Sequence, residues 1–194
     1  MRRRKGLHFY NKRKQISSSA MKEIGNWIFT VGIAIFLAFF VVYSIGTVTS
    51  VIGVSMEKSL YNGQKVMINR LAYMLFSPKK GDVIVFQPNG NKNSHYYIKR
   101  VVAVPGETVQ ILDGKVYVDG ELEADSDTYD KIADAGVAEN EIVLDDDEFF
   151  VLGDNRNNSE DSRSTNIGNV QRDTIIGRAW FHMASKESSM GLVR

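Results

Sequence analysis

From Ile24 to Val48 the chain carries no charged residue, and its centre, from Trp27 to Tyr43, is apolar almost throughout. About 20 apolar residues are enough for a helix to cross a bilayer. The pattern therefore predicts one transmembrane helix over 24–48, with Trp27 and Tyr43 near its ends, where aromatic belts form. Beyond it the hydrophobic pattern is that of strands. Short runs rich in Val, Ile, Tyr and Phe predict strands at 48–54, 65–69, 82–87, 96–104, 108–112, 115–118, 148–152 and 174–181. Asp113-Gly114 and Asp119-Gly120 separate such runs and predict tight hairpin turns. The fold class that follows is mainly β: an antiparallel, barrel-like sheet domain behind one N-terminal transmembrane helix.

Two segments break this rhythm. Leu71-Ala72-Tyr73-Met74-Leu75-Phe76 is an apolar stretch bracketed by Arg70 and Pro78. It reads equally well as core or as a surface dipping into lipid headgroups. Residues 121–148 hold twelve acids and a single Lys, Lys131. They read as a solvated acidic insertion with one helical turn. The expected organisation is a basic tail (1–23), an anchor (24–48), a β domain (49–184) containing that insertion, and a C-terminal tail (185–194).

Charge changes the picture at the N-terminus. The net charge of +1 hides +7 in residues 1–23, which leaves −6 for the remainder. A basic tail alone is compatible with nucleic acid or anionic lipid. One that precedes an apolar span points to a cytoplasmic flank, with the rest of the chain outside the plasma membrane. The apolar run is too long for a cleaved signal peptide, and no small-x-small cleavage site stands out after it. The chain has no cysteine, so the outer domain relies on its core alone. No carboxylate spacing matches a calcium loop and only three His are present, so no metal site is expected.

The candidate chemistry begins with Ser55, which follows a β-prone run and the unencumbered Gly53 about ten residues past the anchor. Extended chain covers at most roughly 3.3–3.6 Å per residue, which keeps Ser55 near the membrane. A serine needs a base to act as a nucleophile. Lys99 is the candidate, because it lies inside an apolar strand where burial would favour the neutral amine. Taken by itself, the segment reads more simply as an edge-strand lysine that discourages aggregation. By alternation Lys99 shares a face with Tyr97, Val101 and Ala103, and Arg100 faces the other way. Arg100 needs a carboxylate, and either Asp154 or Asp161 is available. These two belong to Gly153-Asp154-Asn155-Arg156-Asn157-Asn158-Ser159-Glu160-Asp161-Ser162-Arg163, a polar loop after a strand. Within it Asp161 and Arg163 stand two apart and suit a tight turn. Ser159 is placed to orient the lysine. His8, His95 and His182 lack a Ser-His-Asp context.

In order and spacing, Gly53-Val54-Ser55-Met56, Gly81-Asp82-Val83-Ile84-Val85-Phe86, Tyr97 to Glu107 and Gly153 to Arg163 resemble the boxes of the bacterial type I signal peptidases, in the short form of Gram-positive bacteria. The resemblance covers the anchor and most of residues 45–181. It implies a membrane-anchored endopeptidase that removes signal peptides from exported preproteins with small residues at −1 and −3. It implies Ser55 as nucleophile, Lys99 as general base and Ser159 as the residue that orients the lysine. Arg100, Asp154, Asp161 and Arg163 fall on a structural polar network. No cofactor, metal or nucleic acid is implied. Lys58-Ser59 departs from the family's Pro-Thr pair and puts a positive charge near the site. The alternative expectation is a signal-peptidase-like membrane assembly factor for surface or pilus subunits, with weak or absent cleavage. Ser/Lys self-cleaving repressors are excluded by the anchor and the lack of a DNA-binding segment.

Overall fold

The computed structural model describes residues 18–91, 94–124 and 127–193, and the chain divides into two compact units, 1–40 and 41–194. The first contains most of helix α1, Ser18–Ile45. Its apolar side chains, Trp27, Phe29 and Phe36 among them, are exposed along its length. The helix is long and apolar enough to cross a membrane. It begins ahead of residue 24 because Ser18 to Glu23 contains no helix breaker. Of the basic tail, residues 1–17 lie outside the described residues.

The second unit is built on antiparallel strands. In chain order they are β1 (Thr47–Ser50), β2 (Lys65–Asn69), β3 (Val83–Phe86), β4 (Tyr97–Ala103), β5 (Thr108–Leu112) and β6 (Lys115–Val118), then β7 (Glu121–Leu122), β8 (Ile142–Val143), β9 (Glu148–Leu152), β10 (Val170–Gln171), β11 (Ile175–His182) and β12 (Gly191–Leu192). One sheet runs β1-β2-β11-β3-β4-β9-β10, with β12 added to β11, and the other runs β7-β6-β5-β8. Asp113 and Gly114, and likewise Asp119 and Gly120, all adopt positive φ. That is the signature of the two-residue turns that match strand twist. β12 carries the C-terminal segment back to the sheet and Val193 into the core, so this end is not a free tail.

The first predicted strand is shorter than expected. β1 ends at Ser50, and Gly53 at φ +86 turns the chain out of the sheet, its N–H donating to Asn62 Oδ1 at 3.0 Å. Residues 121–148 are less solvated than their charge implies. Ile132, Ala138 and Leu144 are buried against Val109, Ile111, Val116 and Val118 of the β5–β6 hairpin. Each fully buried aliphatic side chain stabilises by about 1.5–3 kcal/mol, which compensates for the missing disulfides. The stretch at 71–76 is part core and part exposed surface. Helix α2, Leu71–Leu75, buries Tyr73, whereas Met74, Leu75 and Phe76 are exposed.

Candidate active site

β4 positions the lysine. It is hydrogen-bonded to β3 on one side and β9 on the other, so Lys99 is not on a sheet edge and the aggregation-guard reading does not apply. Lys99 is 3% exposed. Burial lowers its pKa from 10.5 to about 8, against Asp161, Glu160 and Asp154, which raise it, and with Arg163, which lowers it further. A register shift between Val101 and Ala103 ends the simple alternation. Ala103 joins the core cluster under the small sheet, while Tyr97 and Val101 pack in another.

Ser55 lies on the turn after the chain leaves β1. The polar loop holds this turn directly: Asn155 N–H donates to Ser55 O at 3.0 Å, and Asn155 Nδ2 donates to Val54 O at 3.2 Å. Ser55 and Lys99 line the same cavity of about 430 Å³, together with Ile52, Val54, Met56, Tyr96 and Ile98. Gly153 sits where these parts converge. A Cβ there would collide with the Ser159 side chain and approach Ser55 O to 2.5 Å. Ser159 Oγ is buried and makes no hydrogen bond among the described residues, to Lys99 or to any other group.

Arg100 selects Asp154 of the two carboxylates open to it. Its Nε and Nη2 donate to Asp154 Oδ1 and Oδ2 at 2.7 and 2.6 Å, with both side chains buried. Arg100 Nη1 donates to Gly81 O at 2.9 Å and Nη2 to Ser59 Oγ at 3.4 Å, so one guanidinium joins three chain segments. Asp161 accepts from Gly153 N–H at 3.0 Å and from Arg163 Nε and Nη2 at 2.8 and 2.9 Å. Arg163 also donates to Arg156 O at 2.6 Å and Asp134 O at 3.1 Å, tying the acidic segment to the loop.

Lys58 turns away from the site. It adopts φ +85, which proline's ring cannot reach, and its ammonium pairs with Asp130 at 3.2 Å on the surface. The positive charge expected near the site is therefore directed away from it, and the charges acting on Lys99 are those of the polar loop. Sequence reasoning gave no role to Gly153, Asn155, Asn157 or Arg156. Asn157 accepts from Ala133 N–H at 2.8 Å and donates to Lys131 O at 2.9 Å. Arg156 is 2% exposed and stacks 4.0 Å from the Tyr129 ring. The density of Asn in the loop was the available signal. Asn side chains carry both donor and acceptor and so can bridge to backbone. No cluster of His, Cys, Asp and Glu suited to a metal occurs among the described residues.

Comparison with known proteins places this arrangement. Residues 24–184 match the family described as signal peptidase, peptidase S26. A probable signal peptidase I-2 of Synechocystis sp. is 36% identical over 130 residues, 65% of this chain; the chain spans 57% of that relative's length. Signal peptidase IB of Staphylococcus aureus (strain COL) is 31% identical over 177 residues, covering 82% of this chain and 89% of the relative. The crystal structure of a signal peptidase I from Enterococcus faecalis V583 aligns with 53% of this chain and 97% of its own, at 26% identity and a TM-score of 0.40. The family match takes in most of α1, the Ser55 turn, β4 and the polar loop, and so the chain belongs to the S26 signal peptidase family.

Proposed function

We propose that this chain is a membrane-bound serine endopeptidase that removes N-terminal signal peptides from exported preproteins, with Ser55 as nucleophile and Lys99 as general base. The observation that carries this reading is a lysine 3% exposed, with its pKa lowered to about 8, lining the same cavity as Ser55. Neutral Lys99 Nζ takes the Ser55 Oγ proton as Oγ attacks the carbonyl carbon of the −1 residue. The Ser55 N–H meets the resulting oxyanion. Collapse expels the amine of the mature protein, which takes the proton from Lys99. Water, deprotonated by Lys99, then hydrolyses the ester on Ser55. Ser159 Oγ, buried and unbonded among the described residues, is left to take up the lysine amine as the peptide binds, and the Arg100, Asp154, Asp161 and Arg163 network holds the loop.

The apolar cavity walls suit small side chains at −1 and −3. Helix α1 anchors the chain in the plasma membrane, the basic flank stays cytoplasmic, and the β domain stands outside. Exposed Met74, Leu75 and Phe76 fit contact with lipid headgroups.

The test is incubation of the detergent-solubilised protein with a preprotein carrying an Ala-x-Ala site, followed by N-terminal sequencing of the product. A cut after the second Ala supports the peptidase. Stable binding without a cut, beside a working control peptidase, would instead make the chain an assembly factor, with pilus or surface subunits as its partners. In the same assay Gly153→Ala is expected to lower kcat/KM by about 10²-fold, because its Cβ displaces both Ser159 and the Ser55 carbonyl. Near-normal turnover would show that the loop does not set the position of the nucleophile.

A further inference from the structure

The cavity that holds Ser55 and Lys99 is walled mostly by apolar and neutral groups, and among the described residues it has a single carboxylate, Glu160. Glu160 lies in the polar loop, whose backbone geometry is fixed on both sides, by Asp154 paired to Arg100 and by Asp161 paired to Arg163. The side chain is exposed to the cavity mouth rather than spent on the network. Tyr97 O–H donates to Oε2 at 3.4 Å and Asn166 Nδ2 to Oε1 at 3.2 Å. These two long bonds, one on each oxygen, hold the carboxylate against the wall. An ionised carboxylate has about four acceptor positions, so the Glu160 oxygens retain capacity. No ion pair joins Glu160 to Lys99 among the described residues, whereas every strongly bonded carboxylate of the loop has an arginine. A fixed, exposed negative charge beside a peptide groove is a selectivity element: it attracts a cationic side chain and repels an anionic one.

We infer that Glu160 is a specificity-determining residue, accepting a Lys or Arg side chain that the bound peptide carries next to its scissile bond. This rests on the peptidase reading of the same site. In an extended peptide, alternate side chains face opposite ways. Small residues at −1 and −3 face the groove, so the cationic side chain stands at −2 or just beyond the bond, where its length reaches the rim. The pair forms at a partly solvated rim, so its effect is moderate and sensitive to salt.

The test uses peptides with one Ala-x-Ala site that differ only in Lys, Gln or Glu placed at −2, +1 or +2. At low ionic strength the wild-type protein is expected to cut the Lys peptide about three- to fivefold better than the Gln peptide at one of these positions, judged by kcat/KM. Glu should be disfavoured there. Glu160→Gln should bring the Lys/Gln ratio to unity, and Glu160→Lys should invert the preference toward Glu. Reading ratios within each variant cancels any general change in rate. The same ratios are measured as peptide affinities by fluorescence anisotropy on the Ser55→Ala form, which requires no turnover. Absence of cleavage with a Glu160-dependent binding preference would remove the peptidase reading and the scissile bond with it, and leave Glu160 as the charge-selecting residue of a peptide-binding site. A wild-type protein indifferent to charge, or a Lys preference that survives both Glu160 substitutions, overturns it.

Discussion

Ser55→Ala and Lys99→Met are each expected to abolish cleavage of an Ala-x-Ala preprotein, by on the order of 10⁴-fold or more, and to change stability differently. Alanine at 55 removes the attacking oxygen and leaves the turn held by Asn155 through backbone carbonyls, so the fold should be unaffected. Methionine at 99 removes the base while filling the same buried space. The folded-state pKa of Lys99, about 8, lies below its ordinary 10.5. The catalytic form is the neutral amine, so kcat/KM should rise through about pH 8 and level off above it. Between about pH 8 and 10.5 the folded chain binds fewer protons than the unfolded chain, and stability rises with pH across that window. Below pH 8 the ammonium is buried and charged, at a cost on the order of 3 kcal/mol relative to its titrated form. Lys99→Met should therefore be more stable than wild type at neutral pH, measured by urea denaturation, although it is inactive. Lys99→Arg, which stays protonated, should be inactive without that gain. A flat pH profile from 6 to 9, or turnover by Lys99→Met, would place the base elsewhere.

The parts of this molecule written in local pattern were legible before the structure. The apolar run became α1, and the Asp-Gly pairs became turns with both residues at positive φ, because only those residues tolerate that geometry cheaply. The mainly antiparallel β architecture followed from short strands joined by such turns. Other features depend on partners distant in sequence. Whether Lys99 was an edge lysine or a buried one turned on β9 lying beside β4, and the two are separated by the whole small sheet. The buried role of Ile132, Ala138 and Leu144 was masked by the acids between them. The two-residue strands β7, β8, β10 and β12 are too short to carry a period of two. Lys58 was misjudged because charge was read from sequence proximity to Ser55; its positive φ and the surface Asp130 carry the ammonium outward.

Asp154→Ala is expected to cost about 3–5 kcal/mol of stability, more than any other single change in the loop. Asp154 is fully buried and accepts both strong hydrogen bonds of Arg100. Removing it leaves a guanidinium in the interior with no carboxylate, and the penalty is the unpaired charge rather than the bond energy itself. Arg100→Met should cost a similar amount, since it leaves the buried Asp154 carboxylate without its cation and takes a donor from Gly81 O. The double variant should recover part of the loss, because a buried ion pair replaced by apolar groups is close to neutral. Recovery should stop short of wild type, since Arg100 also bridges to Gly81 O and Ser59 Oγ, and those acceptors remain without it. Chemical denaturation of the four proteins closes the cycle and yields the coupling energy. Strict additivity would mean that the pair contributes nothing beyond its members. In that case the loop that carries Ser159 and Glu160 would owe its position to the Asp161–Arg163 pair and the Asn155 and Asn157 hydrogen bonds.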